Sequence, residues 1–297
     1  MHLVEEKNKL IILWRRVNMN LSFPIEKTVK ERHSVRTYEN RALSAEVRNK
    51  IEAYTTGLTN PFSIGITFEL LKKHISGDGE KLGTYGVIKG AQDFIAASVS
   101  KDELSLEALG YSFEELVLYA TSLGLGTCWL GGTFDHNSFA TAMNLKAGEV
   151  IPCISPIGYS VGKKRFLESI MSKVVKSDQR MDWSKLYFKQ GFTQPLTKEE
   201  AGEYAFPLEM MRLAPSAVNK QPWRVIKDKD IYHFYKESTL KKDEEKVDIQ
   251  RVDMGIGACH FHMAAMEKGL AGRFEKLATP DIQTPDQMFY TFSWIVS

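Results

Sequence analysis

The sequence predicts an α+β fold with an internal two-fold repeat. Three observations predict it. Apolar segments at spacings of three and four, which suit helices, alternate with short apolar or aromatic runs that suit strands. The order of these segments restarts in the second half of the chain. A shift of 145 residues carries Gly110, Ala120, Gly124 and Leu125 onto Gly255, Ala265, Gly269 and Leu270. The pattern divides the chain into an N-terminal extension (residues 1–19), a first half (20–180) and a second half (181–297).

Taken in order, Phe23 to Arg32 reads as an amphipathic helix with Ile25 and Val29 on one side. A second helix runs from Leu43 to Gly57, with Ser44 as its N-cap and Glu46 in its first turn. Asn60-Pro61-Phe62 leads into a strand, Ile66 to Leu71. Ser76 to Gly86 is glycine-rich and charged and reads as a loop, and Phe94 to Val99 reads as a buried strand. Ser112 to Leu123 is the clearest helix, closed by Gly124-Leu-Gly126. Thr127 to Gly132 leaves it as an extended segment. Ile151 to Tyr159 reads as a strand which, carrying prolines, is expected at an edge or end of its sheet.

A basic helix, Phe166 to Lys176, and a linker through Lys189 then join the halves. Gln194 to Glu200 opens a helix as Arg41 to Glu46 did, and Gln221-Pro222-Trp223 enters a strand as Asn60-Pro61-Phe62 did. Asp253 to Leu270 is a second long apolar helix, and Met288 to Val296 is a closing aromatic strand.

Composition excludes several function classes. The 297 residues carry a net charge of only +2, which argues against a nucleic-acid or membrane-surface role resting on bulk charge. No apolar run approaches the length of a membrane span. The short patch Leu10 to Trp14 follows acidic Glu5 and Glu6 and lacks the long core of a secretory signal, so Met19 is the expected start of the folded chain. Cys128, Cys153 and Cys259 are scattered without CxxC or zinc spacing, so reduced thiols and a cytoplasmic protein are expected. His260 and His262, two apart on a helix, point to different faces and read as core or surface residues; no metal is expected.

Two stretches carry chemistry. In Ala214-Pro-Ser-Ala-Val-Asn-Lys-Gln-Pro-Trp223, Pro215 and Pro222 rule out a continuous helix. Ser216, Asn219 and Gln221 each have donor and acceptor capacity and can bind a planar polar ligand. In Glu31-Arg-His-Ser-Val-Arg-Thr-Tyr38, Arg32 and Arg36 share a face in a helical turn with Ser34 between them. Two guanidiniums and a hydroxyl can hold a phosphate monoester.

The first stretch resembles the Ala-Pro-Ser-x-x-Asn-x-Gln-Pro-Trp signature of the nitroreductase family, which binds FMN. The Arg-x-Ser-x-Arg of the second resembles the same family's N-terminal phosphate motif. The likeness covers roughly residues 20–297. It implies a three-layer α/β/α fold, mainly antiparallel, with the long helices Ser112 to Leu123 and Asp253 to Gly269 packed at a pseudo-dimer axis. It implies FMN as cofactor and NADH or NADPH as electron donor, with ping-pong transfer to a small acceptor.

The implied cofactor residues are Arg32, His33, Ser34 and Arg36, then Leu130, Gly131 and Gly132 with backbone amides at flavin N5, then Lys164 or Arg165 at the phosphate, and Pro215, Ser216, Asn219 and Gln221 at the ring. Gly131 departs from the family, where a larger residue often stands. The first half has the arginines without Pro-Ser-x-x-Asn, and the second has the reverse. One complete site per chain, in a fused pseudo-dimer for which a monomer suffices, is the expectation. A flavoenzyme of the same fold that dehalogenates or fragments flavin, and a flavin-binding module without turnover, are the alternatives. The acceptor pocket would be lined by the segments Ser76–Gly86 and Lys236–Val247.

Overall fold

The computed structural model describes residues 21–73, 82–161, 179–240 and 247–297. The expected N-terminal extension and basic helix, the candidates Lys164 and Arg165, and residues 76–81 and 241–246 of the expected acceptor-pocket segments lie outside these.

The first half opens with α1 (Ile25–Glu31), α2 (Ala45–Gly57), β1 (Thr67–Lys72) and β2 (Asp93–Ser100), continues with α3 (Ser105–Ser122) and β3 (Gly126–Thr127), and ends with α4 (His136–Ala142), β4 (Glu149–Val150) and β5 (Ile154–Gly158). The Ser44 cap is present, its hydroxyl accepting from the Val47 amide at 3.3 Å. The second half contains β6 (Tyr187–Lys189), α5 (Lys198–Ala201), α6 (Ala205–Arg212), β7 (Trp223–Asp228), β8 (Ile231–Glu237), α7 (Ile249–Glu267), β9 (Gly272–Glu275) and β10 (Met288–Val296).

Two sheets result. One runs β1-β2-β5-β3, with β4 beside β2; the other runs β6-β7-β8-β10-β9. All strand pairs are antiparallel except β6–β7. In each sheet the hairpin preceding the long helix pairs with the last strand of its half, which in turn carries the short strand that follows the helix.

Helices α3 and α7 pack against each other, α3 also against β2 and β3, and α7 against β7 and β8. Both are buried on nearly every side, so they read as apolar all round rather than amphipathic. Where they cross, a Cβ on Gly110 would lie 2.1 Å from the Val252 carbonyl oxygen, and one on Gly255 would lie 1.9 Å from that of Glu107. No helix among the described residues is long and apolar enough to cross a membrane.

Four expectations change. The helix expected from Ser112 begins at Ser105, behind Leu104 in a left-handed conformation. The helix expected from Asp253 begins at Ile249, with Asp248 capping the Gln250 amide. The linker expected through Lys189 contains strand β6. The strand expected at an edge, β5, lies inside its sheet between β2 and β3. Its proline is tolerated for a local reason. Ile154 bonds Leu130 in both directions and Gly158 pairs with Gly126, while between them Cys128 turns its amide to the Ser155 hydroxyl. By alternation, Pro156 is the residue whose missing N–H would point at that gap.

At α5, Thr197 accepts from the Glu200 amide and Glu200 reaches back to the Thr197 amide, a complete capping box. Thr197→Ala is expected to lower stability by about 1 kcal/mol. A thermal or urea melt will check it, and an unchanged midpoint would refute a stabilising cap.

Candidate functional site

The ribbon from Gly126 to Gly132 organises the site. At one end the segment after α1 lies alongside it: Ser34 forms a parallel bridge with Thr127, and the Val35 amide donates to the Thr127 carbonyl at 2.8 Å. The segment is extended where a helical turn was expected, because the helix ends at Glu31 and Ser34 pairs with Thr127, and Arg32, Ser34 and Arg36 come around Cys128 by strand alternation. Burial holds the Cys128 thiol above its ordinary range, while Arg36, a hydrogen bond with Ser34 and Arg32 pull the other way. Arg36 and His33 are exposed; His33 Nδ1 lies 2.8 Å from the Glu31 carbonyl.

Arg32 is different. Its side chain is only 7% exposed, its buried Nε has no hydrogen-bond partner, and Glu114 Oε1 stands 3.9 Å away. A buried guanidinium without that bond leaves a strong donor unsatisfied.

At the other end, Leu130 is buried while Gly131 and Gly132 are exposed. A Cβ on Gly131 would approach Ile249 Cδ1 to 3.0 Å, so the ribbon rests on the first turn of α7. Four residues on, and on the same face, Asp253 accepts from the Ala217 amide at 3.0 Å. That contact ties the loop Pro215–Gln221 to the next turn of the same helix face. Both sequence motifs are therefore tied to the ribbon, one directly at Thr127 and the other through α7 at Gly131.

The loop is tightly wound. Val218, Asn219 and Gln221 have φ of 44°, 58° and 47°. For β-branched Val218 this is a strained conformation, of the kind that collects at functional sites. The Ser216 hydroxyl accepts from the Gln221 amide at 2.8 Å. Gln221 is buried and its Oε1 accepts from the Met181 amide. Asn219 accepts from Arg180 Nη1 at 2.9 Å and donates to the Gln179 carbonyl. Arg180 also reaches the Leu213 carbonyl, so it spans the base and the tip of the loop.

Residues 24–265 match the family model described as "Putative TM nitroreductase". The chain belongs to the nitroreductase family. Its fold is that of a protein described as a putative nitroreductase from Thermotoga maritima, 20% identical, covering 92% of this chain and 94% of that one at a TM-score of 0.60. A nitroreductase family protein from Clostridium novyi is 19% identical over 48% of this chain and 88% of its own, at a TM-score of 0.38. A nitroreductase with bound FMN from Bacteroides fragilis is 19% identical over 47% of this chain and 89% of its own, at a TM-score of 0.39. No curated protein matches.

Within this nitroreductase fold, a cavity of about 500 Å³ beside the Asn60-Pro61-Phe62 turn is lined by no residue of the ribbon. Its walls, among them Thr55, Thr59, Asn60, Phe68 and Ser112, carry no charged side chain, so nothing there would hold a phosphate. The Arg32–Ser34–Arg36 cluster does fit a phosphate monoester, because Arg32 offers a buried donor that no acceptor among the described residues satisfies.

The residues that sequence reasoning missed are Arg180, Asp253, Trp129 and the pair Glu114–His260. Trp129 Nε1 donates to Glu114 Oε2 at 2.7 Å, and His260 Nε2 lies 2.9 Å from Oε1. For Glu114, Asp253 and His260 the available signal was polarity on the buried faces of two largely apolar helices; Arg180 and Trp129 carried none.

Proposed function

We propose that this nitroreductase-family chain is an FMN-dependent NAD(P)H oxidoreductase. The observation that carries the reading is Arg32, a buried guanidinium with a hydrogen-bond donor unclaimed, beside Ser34 on the ribbon that leads to Gly131 and Gly132. Arg32, Ser34 and Arg36 bind the phosphate, joined by Lys164 or Arg165. Pro215, Ser216 and Asn219 face the ring, with Gln221 bracing the loop from inside and His33 beside the phosphate. The amides of Gly131 and Gly132 would lie at N5 with Leu130 anchoring them, and the missing side chain at Gly131 lets the ribbon rest on Ile249. FMN, when bound, supplies hydride exchange at N5 between NADH or NADPH and a small acceptor such as a nitroaromatic or quinone, in ping-pong order. The protein's own task is to bind, orient and shield, so no side-chain nucleophile is required.

We read the chain further as a fused pseudo-dimer of halves 20–180 and 181–297, acting in the cytoplasm. Two observations support the repeat. Both sheets follow the same strand order around their long helix. The 145-residue offset that relates Gly110 to Gly255 also relates Glu107 to Val252, and these four make the reciprocal contact at the α3–α7 crossing. Reciprocal contact of this kind is the mark of an isologous interface.

The purified protein is expected to show flavin absorbance that anaerobic NADH or NADPH bleaches. Arg32→Ala combined with Arg36→Ala is expected to weaken FMN at least about a hundredfold, as loss of two charge-assisted contacts implies. Full flavin retention by the double variant after dialysis would refute the phosphate assignment. A protein that takes up FMN but is reduced by neither nucleotide would favour the binding module.

A further inference from the structure

The candidate phosphate arginine stands beside a buried pair that the proposed reaction does not use. Glu114, midway along α3, and His260, midway along α7, are both fully buried. Glu114 Oε1 faces His260 Nε2 at 2.9 Å, and Oε2 accepts from Trp129 Nε1 at 2.7 Å. The other imidazole nitrogen lies 3.0 Å from the Met210 carbonyl on α6, which fixes the ring from its far side. Each carboxylate oxygen therefore has a partner at hydrogen-bond distance before Arg32 is considered. Arg32 Nε comes third, 3.9 Å from Oε1, beyond hydrogen-bond reach. A guanidinium beside an unclaimed carboxylate closes to about 2.7–2.9 Å, often in a bidentate pair. Here the carboxylate is claimed from α7 and from the ribbon.

We propose that the Glu114–His260 pair is a positioning device that draws Arg32 into the protein yet leaves its donors for the phosphate of the cofactor, with His260 as the residue that enforces the gap. The proposal rests on reading Arg32 as a phosphate ligand. The acid at 3.9 Å attracts the guanidinium and keeps it from swinging into solvent. The bonds to His260 and Trp129 fix the orientation of the carboxylate and offset part of its charge, so it holds the guanidinium at 3.9 Å without bonding it. Without His260, Oε1 is vacated, Arg32 closes onto Glu114, and the phosphate loses a donor.

FMN and riboflavin share the ring and differ in the phosphate, so their affinities separate this role from a general structural one. In His260→Phe, which keeps a planar side chain without a donor, FMN affinity is expected to fall at least tenfold and riboflavin affinity to change less than twofold. Adding Glu114→Gln should recover most of the FMN affinity, since a neutral amide does not draw the guanidinium. His260→Gln, which can still donate to Glu114, should bind FMN nearly as the unaltered protein does. Equal losses for the two flavins, or no recovery with Glu114→Gln, would overturn the proposal.

Trp129→Phe vacates Oε2 and gives the same readout should His260→Phe not fold. The crystal structure of whichever variant folds adds a measure that needs no flavin. An Arg32–Glu114 approach within 3.2 Å supports the proposal, and a separation still near 3.9 Å overturns it. An unaltered protein that binds neither flavin would count against the cofactor reading, and the same distance would still decide this one.

Discussion

Gly255→Ala is expected to lower the melting temperature by roughly 6–12 °C, which corresponds to about 3 kcal/mol in a chain of this size. The added methyl would lie 1.9 Å from the Glu107 carbonyl oxygen and 2.8 Å from the Tyr111 amide nitrogen. Both are backbone atoms, so no rotamer change relieves the clash. Helices α3 and α7 must separate along the crossing, and buried contacts on both sides loosen together. Gly110→Ala, facing the Val252 carbonyl at 2.1 Å, should cost a similar amount. The double variant should cost less than the sum, because one separation accommodates both methyls. Gly57→Ala is the control, having open space around its Cβ position. A Gly255→Ala protein that melts within about 2 °C of the parent would refute so close a crossing.

That crossing also marks how far the sequence could be read. The apolar spacing announced both long helices, the 145-residue offset related the two glycines, and Ser44 announced a helix start through local chemistry. Elements defined by their partners were harder to see. Strand β6 is three residues long and pairs parallel with β7, so it offers no period of its own. The first turns of α3 hide behind Leu104 at φ 59°, a left-handed residue that no side-chain preference announces. The interior place of β5 depends on a ribbon that skips one pairing opposite Pro156, and prolines alone point the other way.

The candidate site divides along the same line. Arg32, Ser34, Arg36 and the Pro215–Gln221 loop are legible because each motif is contiguous. What joins them is not contiguous. Ser34 meets Thr127, Gly131 meets Ile249, and Ala217 meets Asp253, contacts that span between 36 and 118 residues of chain. Arg180 is unremarkable in sequence and Glu114 stands out only as an acid in a largely apolar helix; both acquire partners only from what tertiary folding sets beside them.

Asp253 yields the other large effect, a stability that falls as the solution becomes alkaline. Burial pushes its carboxyl up to about 8, partly offset by the Ala217 amide and reinforced by Asp248. Its Oδ2 is buried without a partner, as suits an acid that keeps its proton. In the unfolded chain the same group ionises near 4. Below that pH both states are protonated and the stability this group allows is fully present. Between about 4 and 8 only the unfolded state releases the proton, so stability declines by about 1.4 kcal/mol per pH unit. Above 8 both states are ionised and the loss is complete, at several kcal/mol and on the order of 5 as an upper bound. Glu115, raised to about 7 by burial against a weaker opposing bond from Tyr54, adds a decline of the same sign. Asp253→Asn keeps an oxygen for the Ala217 amide and removes only the Asp253 part. Its melting temperature should match the parent near pH 4.5 and exceed it by at least about 5 °C at pH 8. A difference that stays constant across this range would mean that Asp253 does not carry its proton in the folded protein.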